Sequence, residues 1–156
     1  MLATLGVLIS LCATTAAAAE PVLVISDARV REAPPGATVL AGYLQIENRG
    51  QAPVVIEGFT GTDFERIELH RTVVEQGVAR MQAVERLEIR PGETFLLEPG
   101  GMHLMLFNPG RTLRQDDRTG FHAGLGNGDA IAFEAVVVRM SGKDDGRHEH
   151  HHHLHH

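Results

Sequence analysis

Short runs in which hydrophobic and polar residues alternate follow one another along most of the chain. In AGYLQIEN, for example, Leu44 and Ile46 alternate with Tyr43, Gln45 and Glu47. Such a two-residue period is typical of a β-strand with one buried face. The stretches that predict strands in this way are PVLVISDARVRE, AGYLQIEN, VVIEGFT, FERIELH, VARMQAV, ETFLLEP, MHLMLFN and DAIAFEAVVVRM.

Turn residues separate these runs about every 8–12 residues, a spacing typical of an all-β sandwich or barrel. After residue 19 no long stretch has the period of an amphipathic helix, and no internal repeat or second domain is visible. The pattern therefore predicts one all-β domain over residues 20–141. The clearest turns are Pro34-Pro35-Gly36, Arg90-Pro91-Gly92, Pro99-Gly100-Gly101 and Asn108-Pro109-Gly110.

The first 19 residues have the pattern of a secretory signal peptide. The apolar run Leu2 to Cys12 is too short to span a bilayer, and Ala17 to Ala19 offers an A-x-A cleavage site. No Lys or Arg precedes the apolar run, so a buried N-terminal helix is an alternative. Attachment of lipid at Cys12 is a weaker one, because Leu11 stands where a small residue is wanted. We expect secretion and no membrane insertion after cleavage.

The amino-acid composition argues against several classes of function. Cys12 is the only cysteine, so a chain cleaved after residue 19 has no disulfide and no thiolate for a metal or a nucleophile. The fold must then rest on a packed core. The net charge is −6, Lys143 is the only lysine, and no basic block suggests binding to nucleic acid or to an anionic membrane surface.

The C-terminal segment, residues 142–156, is rich in histidine and poor in core-forming residues, so we expect it to be disordered. Imidazoles in this tail would capture metal loosely, with Cu(II) as the favoured ion. A purification tag is the alternative, although the interruptions at Glu149 and Leu154 favour a native tail. The auxiliary metal residues of the tail would be His148, His150, His151, His152, His153, His155 and His156.

A predicted hairpin brings together the first two candidate ligands. The segment FERIELHRTVVEQGVARMQAV predicts two strands joined by a turn, with Val73 opposite Val78 across a four-residue loop. In that register His70 lies opposite Met81. Directly opposed residues share a sheet face, with Cβ atoms about 4.5–5.5 Å apart, whereas a slip of one residue would place them on opposite faces.

A second pair lies on one strand, in GGMHLMLF. Residues two apart share a face, so His103 and Met105 point to one side. Met102, Leu104 and Leu106 point to the other side, which is the predicted core. If the two strand pairs meet in space, they form a site of two imidazoles and two thioethers.

Thioether sulfur is a soft, neutral ligand, and together with imidazole it suits Cu(I). Without cysteine the site cannot be a blue-copper centre of the two-His, one-Cys type, and no acid–base pair accompanies it, so we expect no enzyme activity. The alternative is that these methionines fill the core and the histidines are hydrogen-bonded structural groups. His122 is predicted to lie at the surface of a Gly-rich loop, Asp116-Asp117 to form a solvated turn, and Met140 to pack at the end of the last strand.

The spacing of the four residues, H-x10-M-x21-H-x-M, resembles the signature of the periplasmic copper chaperone family PCu(A)C (DUF461). Four further segments are similar to that family, and the resemblance covers residues 22–140. The segments are DARVREAPPGATVLAGYLQIENRG, IELH, GVARMQAVERLEI and LEPGGMHLMLF. It implies a cupredoxin-like, Greek-key β-sandwich that binds one Cu(I) through the positions of His70, Met81, His103 and Met105. Arg71 stands where relatives often have Met or Glu, and a cation there would disfavour the ion or serve docking.

The resemblance also implies a function. It implies a periplasmic metallochaperone that delivers copper toward the CuA centre of cytochrome c oxidase subunit II, often alongside Sco-type copper proteins. Three alternatives remain open on the residues alone. They are a copper-dependent redox enzyme, an Ig-like binding module without copper delivery, and a Zn or Ni buffer that acts through the tail.

Overall fold

The computed structural model describes residues 22–139, which form ten β-strands. No helix long and apolar enough to cross a membrane occurs in this part of the chain. The predicted signal peptide, the His-rich tail and Met140 lie outside the described residues, so those interpretations stay predictions. The strands are β1 Leu23–Arg31, β2 Val39–Asn48, β3 Val54–Gly61, β4 Phe64–Glu75, β5 Val78–Ala83, β6 Leu87–Ile89, β7 Thr94–Leu97, β8 Met102–Pro109, β9 Arg118–Leu125 and β10 Ala130–Val138.

Seven strands close on themselves. Along the ring the order is β4, β8, β2, β1, β10, β9 and β3, and β3 returns to β4 through the pair Phe59 and Ile67. The pairing of β1 with β10 is parallel, while the other pairings are antiparallel. β5, β6 and β7 extend β4, β3 and β2 at their edges. The predicted all-β, single-domain sandwich or barrel is confirmed.

The core lies inside this ring. Alternate residues of β8 point into it, and Leu104 and Leu106 have 1% and 0% of their surface exposed. Gly42 of β2 pairs with Leu104, and a Cβ atom at Gly42 would come within 3.3 Å of the Leu104 Cβ atom. This glycine therefore allows β2 to pack closely beside β8. With β4 on its other edge, β8 is paired on both sides.

One segment was predicted wrongly. The stretch around His122 has the composition of a Gly-rich loop, but the structure has a regular strand there, β9. Thr119, Phe121 and Ala123 alternate inward and are buried, which is the period of a half-buried strand. His122 is exposed on that strand, as predicted. The short strand β6 was not predicted, because three residues are too few to establish a period.

Candidate metal site

The turn between β4 and β5 differs from the prediction. Glu75 pairs with Val78, which leaves a loop of two residues, Gln76 and Gly77. Both have positive φ, 52° and 79°. This is the left-handed geometry that two-residue hairpins favour, because its twist matches that of the flanking strands. The predicted four-residue loop, with Val73 opposite Val78, is therefore wrong.

The corrected register moves the pairing by two residues. Thr72 lies opposite Met81, and His70 lies opposite Ala83. A shift of two keeps each side chain on its own face, whereas a shift of one would reverse it. His70 and Met81 therefore share a face, but as diagonal neighbours and not as a direct pair.

The adjacent pairing, β4 with β8, brings the two predicted histidines directly opposite each other. His70 pairs with His103, and their ring centroids are 6.3 Å apart with an interplanar angle of 42°. Two residues along, Glu68 pairs with Met105. The outer face of β8 thus carries His103 and Met105, as strand parity predicts, while its inner face carries the core leucines.

Three of the four predicted ligands open into one depression on this outer face. Met81, His103 and Met105 line a depression of about 400 Å³, and His70 does not contribute to its lining. His70 lies beside His103, with 14% of its side chain exposed. The remaining wall comes from the end of β1 and the segment after it, Arg31 to Pro34, and from the start of β2, Val39 to Ala41.

The tautomer of a neutral His103 ring follows from a hydrogen bond to the backbone. Its Nδ1 atom lies 3.2 Å from the carbonyl oxygen of Gly101. A carbonyl can only accept, so Nδ1 carries the hydrogen and donates it. The neutral ring then has its lone pair on Nε2. Only 6% of the residue is exposed, so this nitrogen belongs to a nearly buried imidazole at the edge of the depression.

The tautomer of His70 is set by a carboxylate. Its Nε2 atom lies 2.8 Å from Glu68 Oε2, and Glu68 Oε1 accepts a hydrogen bond at 2.8 Å from Arg66 Nε. The hydrogen bond from His70, together with the charge of Arg66, lowers the pKa of the Glu68 carboxyl. The carboxylate therefore accepts from Nε2–H, which leaves the lone pair of a neutral ring on Nδ1. That Nδ1 atom is buried and has no hydrogen-bond partner among the described residues.

Glu68 was missed by the sequence reasoning, although the signal was present. It stands two residues before His70, and strand parity places both side chains on one face. The row continues to Arg66, whose guanidinium carbon lies 4.2 Å from the centroid of the Phe107 ring on β8. A chain of contacts thus runs from Phe107 through Arg66 and Glu68 to His70. A search for carboxylates two residues from each candidate histidine would have found it.

Arg71 and His122, which were also singled out in the sequence, are not part of this arrangement. Arg71 follows His70 directly, so its side chain leaves β4 on the opposite face, where its cross-strand partners are Gln82 and Met102. The cation that acts on the site through Glu68 is Arg66. His122 lies on β9, whose neighbours are β10 and β3 and not β4, β5 or β8.

The donor set determines which ions the site can take. Within residues 22–139 no three His, Cys, Asp or Glu side chains lie close enough together to hold a metal ion. A metal bound on this face would therefore need the methionine sulfurs. Two imidazole nitrogens with free lone pairs and two thioethers form a soft and uncharged set of ligands.

The closed β-barrel and its topology define a cupredoxin-like domain, and its outer face carries imidazole and thioether groups near one another. The chain belongs to the LpqE-like family, since the family model described as "Putative lipoprotein LpqE-like" matches residues 23–137. This family name differs from the PCu(A)C name that the spacing of the motif suggested.

Individual proteins extend this comparison. "Putative lipoprotein Lxx21020" from Leifsonia xyli subsp. xyli (strain CTCB07) is 28% identical over 122 residues, which are 78% of this chain and 72% of the relative. Among solved structures, "Solution structure of CuI-DR1885 from Deinococcus Radiodurans" is 26% identical with a TM-score of 0.62, covering 77% of this chain and 80% of that one. "Copper-bound PCuAC domain from PmoF2" is 16% identical with a TM-score of 0.65, covering 78% and 97%. The likeness to these proteins agrees with the predicted cupredoxin-like fold.

Proposed function

We propose that this protein is a Cu(I) metallochaperone that carries one ion on His70, Met81, His103 and Met105. One observation carries the proposal: the buried Nδ1 atom of His70 has no hydrogen-bond partner among the described residues, and it belongs to a ring directly opposite His103. A buried nitrogen without a hydrogen bond costs roughly 1–3 kcal/mol. A bound ion would recover that free energy.

The geometry is compatible with one ion between the two rings. A metal–nitrogen bond of about 2.0–2.1 Å puts the centre of each imidazole roughly 3 Å from the ion. Two rings on one ion are then up to about 6 Å apart, close to the observed centroid separation of 6.3 Å. Met81 and Met105 line the depression together with His103. Cu(I) is the biological ion that accepts both donor types readily.

A solved relative supports the same ion. The Deinococcus protein, which is 26% identical to this chain, was solved in a CuI form. Four neutral ligands leave a charge of +1 at the site, which costs less to hold near a surface than a divalent ion does. The exposure of Met81, of which 60% is accessible, supports a carrier function. A thiolate of an acceptor would displace this thioether first and then the others in turn, so no catalysed reaction is required.

The delivery route and the compartment are part of the proposal. By the resemblance in the motif, copper passes toward the CuA site of cytochrome c oxidase subunit II, directly or through a Sco-type protein. The lipoprotein names of the family and of the Leifsonia relative support an extracytoplasmic location, and the signal-like first 19 residues point to the periplasm. The tail histidines would form an auxiliary Cu(II) site. Deleting residues 147–156 would then lower the Cu(II) stoichiometry and leave one Cu(I) bound at the barrel.

An anaerobic competition titration with a Cu(I) chelator tests the core of this proposal. We expect the protein without residues 147–156 to bind one equivalent of Cu(I), and the His103→Ala and Met105→Ala variants to lose that binding. Stoichiometric binding that survives both substitutions would refute the assignment of the site. Absence of binding in the unsubstituted barrel would instead favour the alternative of a binding module with packed methionines.

A further inference from the structure

The strand β5 forms an edge of the sheet beside the metal depression. Within residues 22–139 its only partner strand is β4, so its other edge is free. The edge strands β6 and β7 have three and four residues, and very short strands are one way in which proteins protect a sheet edge. β5 has six residues, no proline, no lysine and no bulge in its pairing with β4. It therefore lacks most of the features that keep a further strand from adding to an edge.

The backbone N–H and C=O groups of Met81 point toward this free edge. In an antiparallel pair, residues that exchange hydrogen bonds alternate with residues whose polar groups point away from the partner strand. Val84 N–H donates to the Leu69 carbonyl at 2.8 Å, which marks one exchanging pair. The register places Met81 opposite Thr72, three positions further along and therefore in the alternate class. Thr72 N–H agrees with this, because it donates at 3.1 Å to the Gly101 carbonyl and not to β5.

The free edge is continuous with the proposed metal site. Met81 lines the depression together with His103 and Met105. Ala79 has the same parity as Met81, so its backbone groups also point to the free edge and its side chain lies on the same face. Met81 is 60% exposed, and Val74, the cross-strand partner of Ala79, is 71% exposed. The edge therefore carries an exposed apolar surface that begins at the depression.

A strand added to this edge would bring a new donor atom next to Met81. Directly opposed residues share a sheet face, with Cβ atoms about 4.5–5.5 Å apart, so a side chain opposite Met81 would face the depression. Cysteine suits this position, because its thiolate is a soft ligand for Cu(I). The bond from copper to the Met81 sulfur breaks as the bond to the thiolate forms, and the thiol proton passes to water. Copper remains Cu(I), so the exchange needs no oxidant or reductant.

The size of the edge favours a transient partner over a stable dimer of this chain. Six residues of β5 form a strand about 20 Å long. A segment that pairs with it covers much less than the roughly 800 Å² per partner that a stable interface buries. A protein that must receive the ion and then leave needs only such a small contact. Extended segments commonly bind to exposed sheet edges in this way.

We propose that the free edge of β5 is the docking surface for the copper acceptor, which adds an extended segment to the sheet and places a cysteine opposite Met81. This inference rests on the proposed function, since it requires Cu(I) at the barrel. Backbone hydrogen bonds to Ala79 and Met81 hold the segment, and strand parity directs its thiolate to the ion. Docking and ligand exchange then occur at the same residue.

Transfer of Cu(I) to a synthetic acceptor tests this inference. The acceptor is the peptide TVCTCVT, whose two cysteines share one face of a strand, and dithiothreitol is the small dithiol for comparison. Ala79→Pro removes a donor from the free edge, a change that edge strands tolerate. We expect it to slow transfer to the peptide by at least about tenfold, since docking makes the exchange effectively intramolecular. Transfer to dithiothreitol and the Cu(I) affinity should not change.

Two controls separate docking from damage to the hairpin. Ala79→Val keeps the N–H group and should transfer Cu(I) to the peptide as fast as the unsubstituted protein does. The N–H of Arg80 faces β4 by the same alternation, so slow exchange of this amide in Ala79→Pro shows that the hairpin is intact. If it is not, the unsubstituted protein is tested with a peptide methylated on the backbone nitrogens of its three central residues. That peptide keeps its thiols but cannot donate, and transfer to it should be slower by a similar factor.

The copper-free protein gives an independent measurement of docking. With millimolar TVSTSVT, in which serine replaces cysteine, amide exchange at Ala79 and Met81 should become slower while exchange at Arg80 stays the same. Equal transfer rates in the proline and valine variants, or no protection by this peptide, would overturn the proposal. So would protection that grows with protein concentration without peptide, because a second copy would then occupy the edge. Failure of the unsubstituted protein to bind Cu(I) would refute the proposed function itself, a different result.

Discussion

The two strands that carry the methionines of the proposed site, β8 and β5, differ in their strand pairing and in their exposure. β8 is paired on both edges, with β4 and β2, and Met105 on it is half-buried. β5 pairs with β4 alone, all six of its residues are exposed, and Met81 on it is 60% accessible. One half of the proposed site is therefore part of the barrel wall, while the other half lies on an edge hairpin.

This difference suits the proposed carrier function, which requires both holding and releasing an ion. In the proposed site, the two imidazoles and the sulfur of Met105 would lie on β4 and β8, which are both paired on both edges. Met81 would be the ligand most accessible to an approaching partner, since it is exposed on an edge strand. Affinity should therefore depend mainly on the β4–β8 half, and the rate of transfer mainly on the β5 half.

The largest effect is expected from removing an imidazole of the fixed half. Loss of a supporting group around a metal commonly costs 10–100-fold in affinity, so loss of a direct ligand in His70→Ala should weaken Cu(I) binding by more than about a hundredfold. Chelator competition on the tail-deleted protein measures this. His122→Ala is the control, and a similar loss in that variant would mean that the effect is not local.

The two methionines offer the sharpest test of the comparison. Met105→Leu and Met81→Leu each remove a sulfur and keep a similar volume, so the free energy of unfolding should change by less than about 1.5 kcal/mol in both. Met105→Leu should weaken Cu(I) binding more than Met81→Leu does. Met81→Leu should mainly slow transfer of Cu(I) to a dithiol acceptor, followed by stopped-flow absorbance. If both variants changed the Cu(I) affinity and the transfer rate equally, the proposed difference between the β8 and β5 halves of the site would be contradicted.

Glu68 should matter through His70 and not through contact with the ion. Glu68→Ala removes the acceptor of the Nε2 hydrogen bond, and loss of such a partner typically costs about 10–100-fold in metal affinity. Glu68→Gln keeps an acceptor oxygen and should lose less. Histidine ¹⁵N chemical shifts should report a change of tautomer at His70 in the alanine variant alone. Glu88→Ala, an exposed carboxylate on β6, is the control. Unchanged shifts in Glu68→Ala would contradict the positioning role.

The smallest effect is expected at the hairpin turn. Gly77 has φ of 79°, and no atom lies within 4 Å of the position a Cβ would take, so Gly77→Ala introduces backbone strain without a clash. That strain costs roughly 1–2 kcal/mol and should appear as faster amide exchange along β5, with β8 unaffected. Gly58→Ala also has open space but needs no positive φ, so it should leave β5 protected. Equal exchange in the two glycine variants would argue against the turn geometry.

Features of this site that depend on neighbouring residues in the sequence could be predicted, whereas features that depend on residues far apart in the sequence could not. The sides to which His103 and Leu104 point follow from the strand period, a local property, and the structure agrees. The hairpin loop was predicted two residues too long, since VVEQGV accommodates either length and lacks the Asn-Gly pair that marks a tight turn. The face of Met81 was still correct, because both lengths have the same parity.

Other features depend on contacts between residues that are far apart in the sequence. The pairing of His70 with His103 crosses more than thirty residues, and its register is set by closure of the whole ring of strands, which no local pattern encodes. The tautomers could not be predicted either, since they follow from hydrogen bonds to Glu68 and to the Gly101 carbonyl. The opposite error occurred at β9, where glycines obscured the alternation of Phe121 and Ala123.

X-ray absorption at the copper K-edge of the Cu(I)-loaded, tail-deleted protein tests the central claim most directly, because it counts the atoms bound to the ion. We expect two nitrogen and two sulfur atoms bound to the copper ion. In Met105→Leu we expect one sulfur fewer and the same number of nitrogen atoms. A shell of nitrogen and oxygen alone, or a sulfur count unchanged by Met105→Leu, would contradict the assignment of His70, Met81, His103 and Met105 as one metal site.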